Sequence, residues 1–394
     1  MLLEYSVQKP LNREPPPKQL IQSFITKSSV AYDRNHGPIP HIDEETHYVR
    51  IDGAVANVVE VSIKQLREDF EQHEVISALQ CAGNRRHTMR TEFKEVNGID
   101  WYSGAVMNGV WRGPLLRDVV LKAGISIEGE AHVAFSCLQT LVQDDWYYGG
   151  SINLARVMDP DKSIILALEL NGKTLSINHG FPVRAVLPGI AGARWVKWLD
   201  RITIQRNESN NYYQQQDYKI LPPHVETKEQ AMENWHLVPA MQLMPINSVI
   251  CTPETGDEIQ PDAEGKVVVA GYAVPAGDDG PVTKVEISLD RGRTWEETDI
   301  VQEPPTRWSW ALWGTKVDVR RLLPAEGGES SKRIWCRAQD KGGNTQDGKC
   351  QWNYRGVGYN GYGEVKNLTI KGIENQPVER ALLWIFPCLR YMGY

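Results

Sequence analysis

At 394 residues, with 41% hydrophobic and 24% charged residues, the chain exceeds what one ordinary core holds, and two globular domains are expected. Its formal net charge of -7 excludes the basic footprint of a sequence-independent nucleic-acid binder, so any anionic ligand has to be held by a local cluster of arginines. Six cysteines, at positions 81, 137, 251, 336, 350 and 388, form no CxxC pair, which argues against a disulfide scaffold or a structural zinc site and favours a reducing, intracellular setting. The cytoplasm fits best, with the peroxisome and the mitochondrial intermembrane space still open.

The opening MLLEYSVQKPLNREPPP carries Glu4 early and turns proline-rich at once, unlike a signal or transit peptide. No segment of the chain reaches the roughly 18 apolar residues of a membrane-spanning helix. Residues 1 to about 30 read as an extended arm, held off helix by Pro10, Pro15, Pro16 and Pro17. Tyr32 to Pro40 follows as an irregular loop that Gly37 and two prolines stiffen, so that polar groups can be presented inward. His47 to Asp52 alternates as a strand before a turn at Gly53, and Ser62 to Phe70 reads as a helix capped by Ser62 with Ile63, Leu66 and Phe70 on one face. The run from Val75 is a buried strand that breaks at Cys81-Ala82-Gly83-Asn84, just before Arg85 and Arg86. Positive charge so close to a thiol lowers its pKa and favours the thiolate, the form that binds a soft metal or attacks an electrophile. A buried structural cysteine is the bland alternative.

Trp111 to Leu116 opens a second helix that ends near Gly124, with Leu115, Leu116 and Val119 facing inward. His132 to Phe135 reads as a strand, Ser151 to Met158 as a helix and Ile164 to Leu170 as a buried strand. His179-Gly180-Phe181-Pro182-Val183-Arg184 leads into a stretch where Gly189, Ala191, Gly192 and Ala193 let the backbone approach a ligand, and a His and an Arg beside such a turn suit a phosphate. The polar run Gln214 to Lys219 is by itself surface, and Leu221 to Met244 a surface linker. Beyond it, Val267 to Val269, Val285 to Leu289, Arg307 to Trp313 and Arg333 to Ala338 are short alternating segments at β-sandwich intervals, with a hairpin signal at Asp290-Arg291-Gly292. The last stretch, Ala381 to Tyr394, is apolar but too short and too Pro-interrupted to span a membrane.

The word CAGNRR (Cys81 to Arg86), with Arg34-Asn35-His36 upstream and HGFPVR (His179 to Arg184) downstream, resembles the molybdenum-cofactor domain of the sulfite oxidase family, which includes the eukaryotic nitrate reductases. The resemblance runs from about residue 5 to about residue 370. It implies an α+β chain: a mixed α/β molybdopterin-binding catalytic domain over residues 1–242, an immunoglobulin-like dimerisation domain over 243–372 and a C-terminal tail over 373–394. It also implies a molybdenum cofactor whose metal is ligated by Cys81. Tyr32, Asp33, Arg34, Asn35, His36, His179, Arg184 and the Arg194-Trp195-Val196-Lys197 segment would surround the cofactor. Arg34, Arg86, Trp101, Tyr218 and Arg355 would face the substrate, Asp217 more weakly. Relatives often place a pterin-binding Asp just after the 132–135 strand, whereas this chain has Ser136, Cys137, Leu138 and Gln139 there.

The implied activity is that of a sulfite oxidase, the two-electron oxidation of sulfite to sulfate, in a homodimer that passes electrons to dioxygen or a separate cytochrome. The two domains consume the chain, so no haem or flavin is expected. Sulfite-oxidising relatives place an Arg at the position of Arg355 and nitrate-reducing relatives generally do not. Nitrate reductase-like chemistry and a non-catalytic cofactor-binding dimer are the alternatives. A zinc enzyme is disfavoured because no His/Cys pair has ligand spacing.

Overall fold

The alternation that predicts strands on both sides of residue 240 organises two separate hydrophobic cores in the computed structural model, which describes residues 3–4, 10–301, 303, 306–323 and 332–371. The tail expected over 373–394 lies outside the described residues. The first core is built on a five-stranded sheet in the order Val59–Ser62, Tyr48–Gly53, Arg201–Gln205, His132–Cys137, Tyr148–Asn153. In Arg201–Gln205, Ile202 and Ile204 are buried while Arg201, Thr203 and Gln205 are half-exposed, the period of two that a strand with one face in the core requires. A four-stranded antiparallel sheet joins the same core in the order Lys173–Thr174, Glu169–Leu170, Val106–Pro114, Gln72–Gln80. Its Gln72–Gln80 strand aims Cys81 inward, and the Cys81 N–H donates to the Ala105 carbonyl at 2.9 Å.

The second core lies between two four-stranded sheets, a β-sandwich. One is ordered Asn247–Thr252, Lys266–Val274, Ala311–Asp318, Asp299–Val301 and the other Glu296–Glu297, Val282–Ser288, Ile334–Asp340, Gly363–Val365. The hairpin signal lies where expected: Arg291 and Gly292 both have positive φ, 60° and 81°, and the flanking strands pair Glu286 with Glu297.

Several local expectations change. Pro17 begins a short helix, Pro17–Leu20, instead of preventing one, because at the first helical position its missing N–H would have no partner anyway. Trp111 and Arg112 belong to the strand Val106–Pro114, and the helix starts only at Leu116, running Leu116–Ala123. Ser151 is likewise in a strand, and the helix that follows, Leu154–Met158, is capped by the Asn153 side chain. Ile164 to Leu170 splits into Ile165–Ala167 and Glu169–Leu170, which pair in different sheets. The supposed surface linker contains the helix Lys228–Asn234 and buries Leu221, Val225, Ala231 and Trp235 as a small core of their own. The segment Arg307 to Trp313 is mostly a loop that sends Trp308 into the first core, with the strand beginning at Ala311.

That loop is tied across the two cores by one carboxylate. Asp278 receives both terminal nitrogens of Arg156 at 2.7 and 2.8 Å, Lys162 at 2.9 Å and the Trp308 indole N–H at 3.0 Å. Burial opposes its ionisation, but the hydrogen bonds from Arg156, Trp308 and Lys162 hold its carboxyl well below the usual carboxylate range. A depressed carboxylate stabilises the folded state fully above the unfolded pKa near 4, and that contribution is lost as pH falls toward the depressed value. Asp278→Ala should therefore destabilise the chain by about 3 kcal/mol near pH 7 in denaturant unfolding. The gap to wild type should close on acidification; an unchanged gap at pH 3 would remove the ion cluster from this role.

Candidate functional site

Two cavities meet at Cys81. One, with an empty volume of about 740 Å³ counting the part open to solvent, is lined by Tyr32, Arg34, Asn35, His36, Cys81, His179, Arg184, Trp195, Lys197 and Tyr218. The other, wider at about 1800 Å³, is lined by Arg34, Cys81, Arg86, Trp101, Tyr218 and Arg355 among others. The five residues expected to face the substrate and the expected ligand Cys81 thus border one space, although they come from five separate parts of the chain.

The arginines are held from behind. Arg34 donates to Asn12 Oδ1 at 3.2 Å and to the Asn35 carbonyl. Arg86, buried, donates through Nε to the Arg355 carbonyl at 2.8 Å and through a terminal nitrogen to the Ile99 carbonyl at 2.7 Å. A Cβ at Gly83 would stand 2.5 Å from its guanidinium, and one at Gly98 would stand 2.7 Å from it, so a side chain at either position would push that group from its place. Burial, followed by Arg355, lowers the Arg86 pKa to about 10, which still leaves it charged at neutral pH. Arg355 is ion-paired with Asp217 at 2.5 Å and bonded to Asn97. Trp101 is fully buried and stands edge-on to Tyr32, with ring centroids 6.4 Å apart.

Tyr218 follows a π-helical turn, Tyr213–Asp217, of the kind that often marks functional sites. Arg194 does not line either cavity. It bonds the Tyr213 carbonyl at 2.7 Å and the Met241 carbonyl at 3.2 Å, and so braces that turn. Behind Tyr218 stands His36, packed among Tyr148, Tyr213 and Tyr218. Burial, then Arg34 and the other nearby cations, lowers its pKa well below the ordinary value, so the ring is neutral. Arg34 can only donate to His36 Nδ1 at 3.2 Å, which leaves the proton on Nε2. Nε2–H then donates to the Tyr218 oxygen at 2.7 Å, freeing the phenol's own hydrogen for the cavity. Both His36 nitrogens are thus engaged, by Arg34 and by Tyr218, while the ring lines the smaller cavity. Burial raises the Tyr218 pKa, and the phenol stays protonated at neutral pH.

The thiol departs from the expectation of a lowered pKa. Burial raises Cys81 above its ordinary value, with Arg86 and Arg34 pulling the other way. A thiolate at this position needs a cation directly on the sulfur, which suits a metal ligand better than a free nucleophile.

The smaller cavity fits an anionic, phosphate-bearing cofactor. His179 Nε2 and Arg184 Nε, on two residues that line it, are buried without a hydrogen-bond partner among the described residues. His179 lies 3.7 Å from Asp33, but burial takes its pKa to about 4, so the pair is not an ion pair at neutral pH. Burial lowers Arg184 to about 10, while burial and then Arg184 lower Lys197 to about 7, the pattern of cations awaiting a negative charge. A Cβ at Gly192 would meet the Gln80 carbonyl at 2.9 Å, so the backbone there closes tightly on the strand that carries Cys81. Asp33 and Val196 border neither cavity: Asp33 stands behind His179 and is bonded to Arg13, and Val196 lies in the core with its carbonyl accepting from Ala185 N–H. No carboxylate from 136–139 enters the cavity, and Thr140 lines it instead.

Sequence reading misses Asn12, which lines the wider cavity from the arm and accepts from Arg34 and from the Asn35 N–H at 3.0 Å, and Asn97, which tethers Arg355. The Asn97-Gly98 dipeptide is a turn signal that could have marked that loop. For Asn12 the chain offers no local signal.

A buried thiol beside a cation-lined cavity, with a β-sandwich next to them, is the arrangement of a cofactor-dependent oxidoreductase, and two family models say of which class. Residues 36–213 match the model of the oxidoreductase molybdopterin binding domain, and residues 238–369 that of the Mo-co oxidoreductase dimerisation domain. The mitochondrial sulfite oxidase of Rattus norvegicus is 39% identical over 362 residues, 90% of this chain and 63% of that protein. The sulfite oxidase of Arabidopsis thaliana is 35% identical over 375 residues, 90% of this chain and 91% of that protein. In fold, the chain resembles the sulfane dehydrogenase SoxCD from Paracoccus pantotrophus, with a TM-score of 0.74 at 23% identity over 92% of this chain and 86% of that one. The chain belongs to the sulfite oxidase family of molybdenum-dependent oxidoreductases. It spans just under two thirds of the length of the rat relative. Among the described residues no helix is long and apolar enough to cross a membrane.

Sulfate does not titrate near neutrality, but Lys197 does, and its charged form is the one that attracts an anion. Calorimetry on cofactor-free protein should find sulfate bound about threefold or more tightly at pH 6 than at pH 8, with Lys197→Met flattening the difference. An equally steep dependence in the variant would take Lys197 out of the cradle.

Proposed function

We propose that the chain is a sulfite oxidase, carrying out SO3²⁻ + H2O → SO4²⁻ + 2H⁺ + 2e⁻. The observation that supports it best is that Arg34, Arg86 and Arg355 border one cavity together with Cys81 and Tyr218. Cys81, Arg184, His179 and Lys197 would hold a molybdenum–pterin group, which would supply the two-electron oxidation and oxygen transfer that no side chain can perform. The protein's own part is electrostatic and steric. Three guanidinium groups grip the oxygens of a small pyramidal anion, each as a planar multi-donor that stays charged at working pH. Tyr218, with its oxygen occupied by His36 Nε2–H, turns its hydroxyl hydrogen toward the anion and donates to it. Trp101 walls the cavity and limits water around the reacting sulfur.

Nitrate as the substrate, or a fold that binds the cofactor without turnover, is the competing reading. Arg355 at the cavity counts against nitrate. Its pairing with Asp217 is a specific observation on the other side, because it leaves fewer free charges for a dianion. We further infer a division between the two domains near residue 242 and a homodimer formed through the second, in keeping with the dimerisation-domain match. Electrons would pass to dioxygen or to a separate cytochrome. The five free, buried cysteines among the described residues support a reducing, cytoplasmic setting.

Metal analysis, with sulfite oxidation assayed against ferricyanide and against dioxygen, tests cofactor, substrate and acceptor together. Molybdenum-loaded protein that reduces nitrate but leaves sulfite untouched would reverse the assignment. Cys81→Ser should remain folded and retain pterin yet lose nearly all sulfite turnover; activity near wild type would cost Cys81 its role as ligand. Arg86→Gln should raise the sulfite KM by about tenfold or more with little change in thermal stability, and a KM within twofold of wild type would dissolve the three-arginine grip.

A further inference from the structure

The turn that carries the thiol is held from outside its own domain. Along Cys81 to Arg86, the Ala82 carbonyl accepts from Gly358 N–H at 2.8 Å, the Asn84 amide donates to the Tyr272 hydroxyl at 3.0 Å, and Arg86 Nε donates to the Arg355 carbonyl. The strongest of these ties is Arg85. One terminal nitrogen donates to Asn247 Oδ1 at 2.7 Å, to the Gly361 carbonyl at 2.8 Å and to the Ser248 carbonyl at 3.2 Å. The other donates to the Tyr362 carbonyl at 2.7 Å, and the guanidinium lies 4.6 Å from the Tyr359 ring centroid. Every one of these partners belongs to the sandwich or to the long connection between its Ile334–Asp340 and Gly363–Val365 strands.

Arg85 is 3% exposed, and its hydrogen-bond acceptors here are neutral oxygens. Burying a permanent charge among carbonyls is tolerated only when its donors are satisfied in place, so the surrounding backbone has little freedom to shift. Its φ of 67° puts a long, non-glycine residue in the left-handed region, a conformation that persists when the surroundings over-determine it. That single reversal also sets the direction of the next residue. Arg85 sends its side chain into the sandwich, while Arg86, the first residue of the helix Arg86–Glu92, sends its own to the anion cavity.

We propose that Arg85 is the positioning residue through which the second domain, which already lends Arg355 to the anion cavity, also aims Arg86. The inference rests on the reading of that cavity as an anion site. On this view the sandwich does more than pair two protomers. Arg85 touches no substrate; it fixes the left-handed turn, and the turn fixes where the next guanidinium points. Loosening the tie lets Arg86 wander, which weakens anion binding without removing any residue that contacts the anion.

The test uses full-length, cofactor-loaded protein throughout: sulfite kinetics, and calorimetric sulfate titration with the Lys197 cradle already filled as a readout independent of turnover. Arg85→Gln should raise both the sulfite KM and the sulfate Kd by about tenfold, with a smaller change in kcat per bound molybdenum. Arg85→Lys, which keeps the charge but cannot reach all four acceptors, should fall between the two. Asn247→Ala, which removes one acceptor on the sandwich side, should shift both constants in the same direction. A purely structural role predicts something else: lower thermal stability and lower molybdenum content, with KM and Kd of the surviving protein unchanged. That result would overturn the proposal, and where Arg85→Gln fails to fold, unchanged constants in Asn247→Ala would do so alone. Wild-type protein that neither oxidises sulfite nor binds sulfate would instead bring down the anion-site reading underneath.

Discussion

The constraint on which this molecule depends is the convergence of like charges on one cavity. Arg34 and Arg86 border the wide cavity, with Arg355 beside them and, among the described residues, Asp217 alone in direct contact as a counter-charge to that third group. Stripping water from several guanidinium groups at once is costly, and their mutual repulsion adds to the cost. The depressed Arg86 pKa records that cost. An arrangement of this kind persists only if the backbone behind each group is held firmly, and it leaves a site that an anion completes.

The supporting structure answers that demand with neutral acceptors and close-packed glycine. Arg86 is pinned by two carbonyls and flanked by Gly83 and Gly98, Arg34 by Asn12 and the Asn35 carbonyl, and Arg85 by acceptors in the sandwich. Neutral acceptors orient a cation without cancelling it, so its field remains available to a ligand. Asp217 is the exception, and by pairing with Arg355 it tempers the total charge at the entrance. His36 extends the same logic to a neutral group: its tautomer is set by Arg34, and that tautomer in turn settles which way Tyr218 donates.

Much of this was legible in local sequence. Period-two alternation marked the strands around Val49, Val133, Val267 and Val285, Ser62 marked a helix start, and Asp290-Arg291-Gly292 marked a hairpin. The failures share a cause. Trp111, Ser151 and the segment Leu221 to Met244 were misjudged because their fates depend on neighbours distant in sequence: Trp111 pairs with Val75, Ser151 with Ala134, and Trp235 is buried in a cluster closed by Tyr354. Pro17 was misjudged for the opposite reason, since one position separates a proline that blocks a helix from one that starts it.

By itself the sequence determined the chemical inventory and the family, because a thiol followed by two arginines, a His-to-Arg turn and their order along the chain are properties of the string. It also determined two cores, since hydrophobic periodicity is local. Only the tertiary structure decided the electrostatics. That Cys81 is raised and not lowered, that His36 serves Tyr218, that Arg194 braces a turn while Lys197 lines the cavity, and that Arg85 leaves its own domain all follow from burial and from which carbonyls stand nearby. Desolvation and hydrogen-bond geometry are set by atoms hundreds of positions apart, and no reading of adjacent letters carries them.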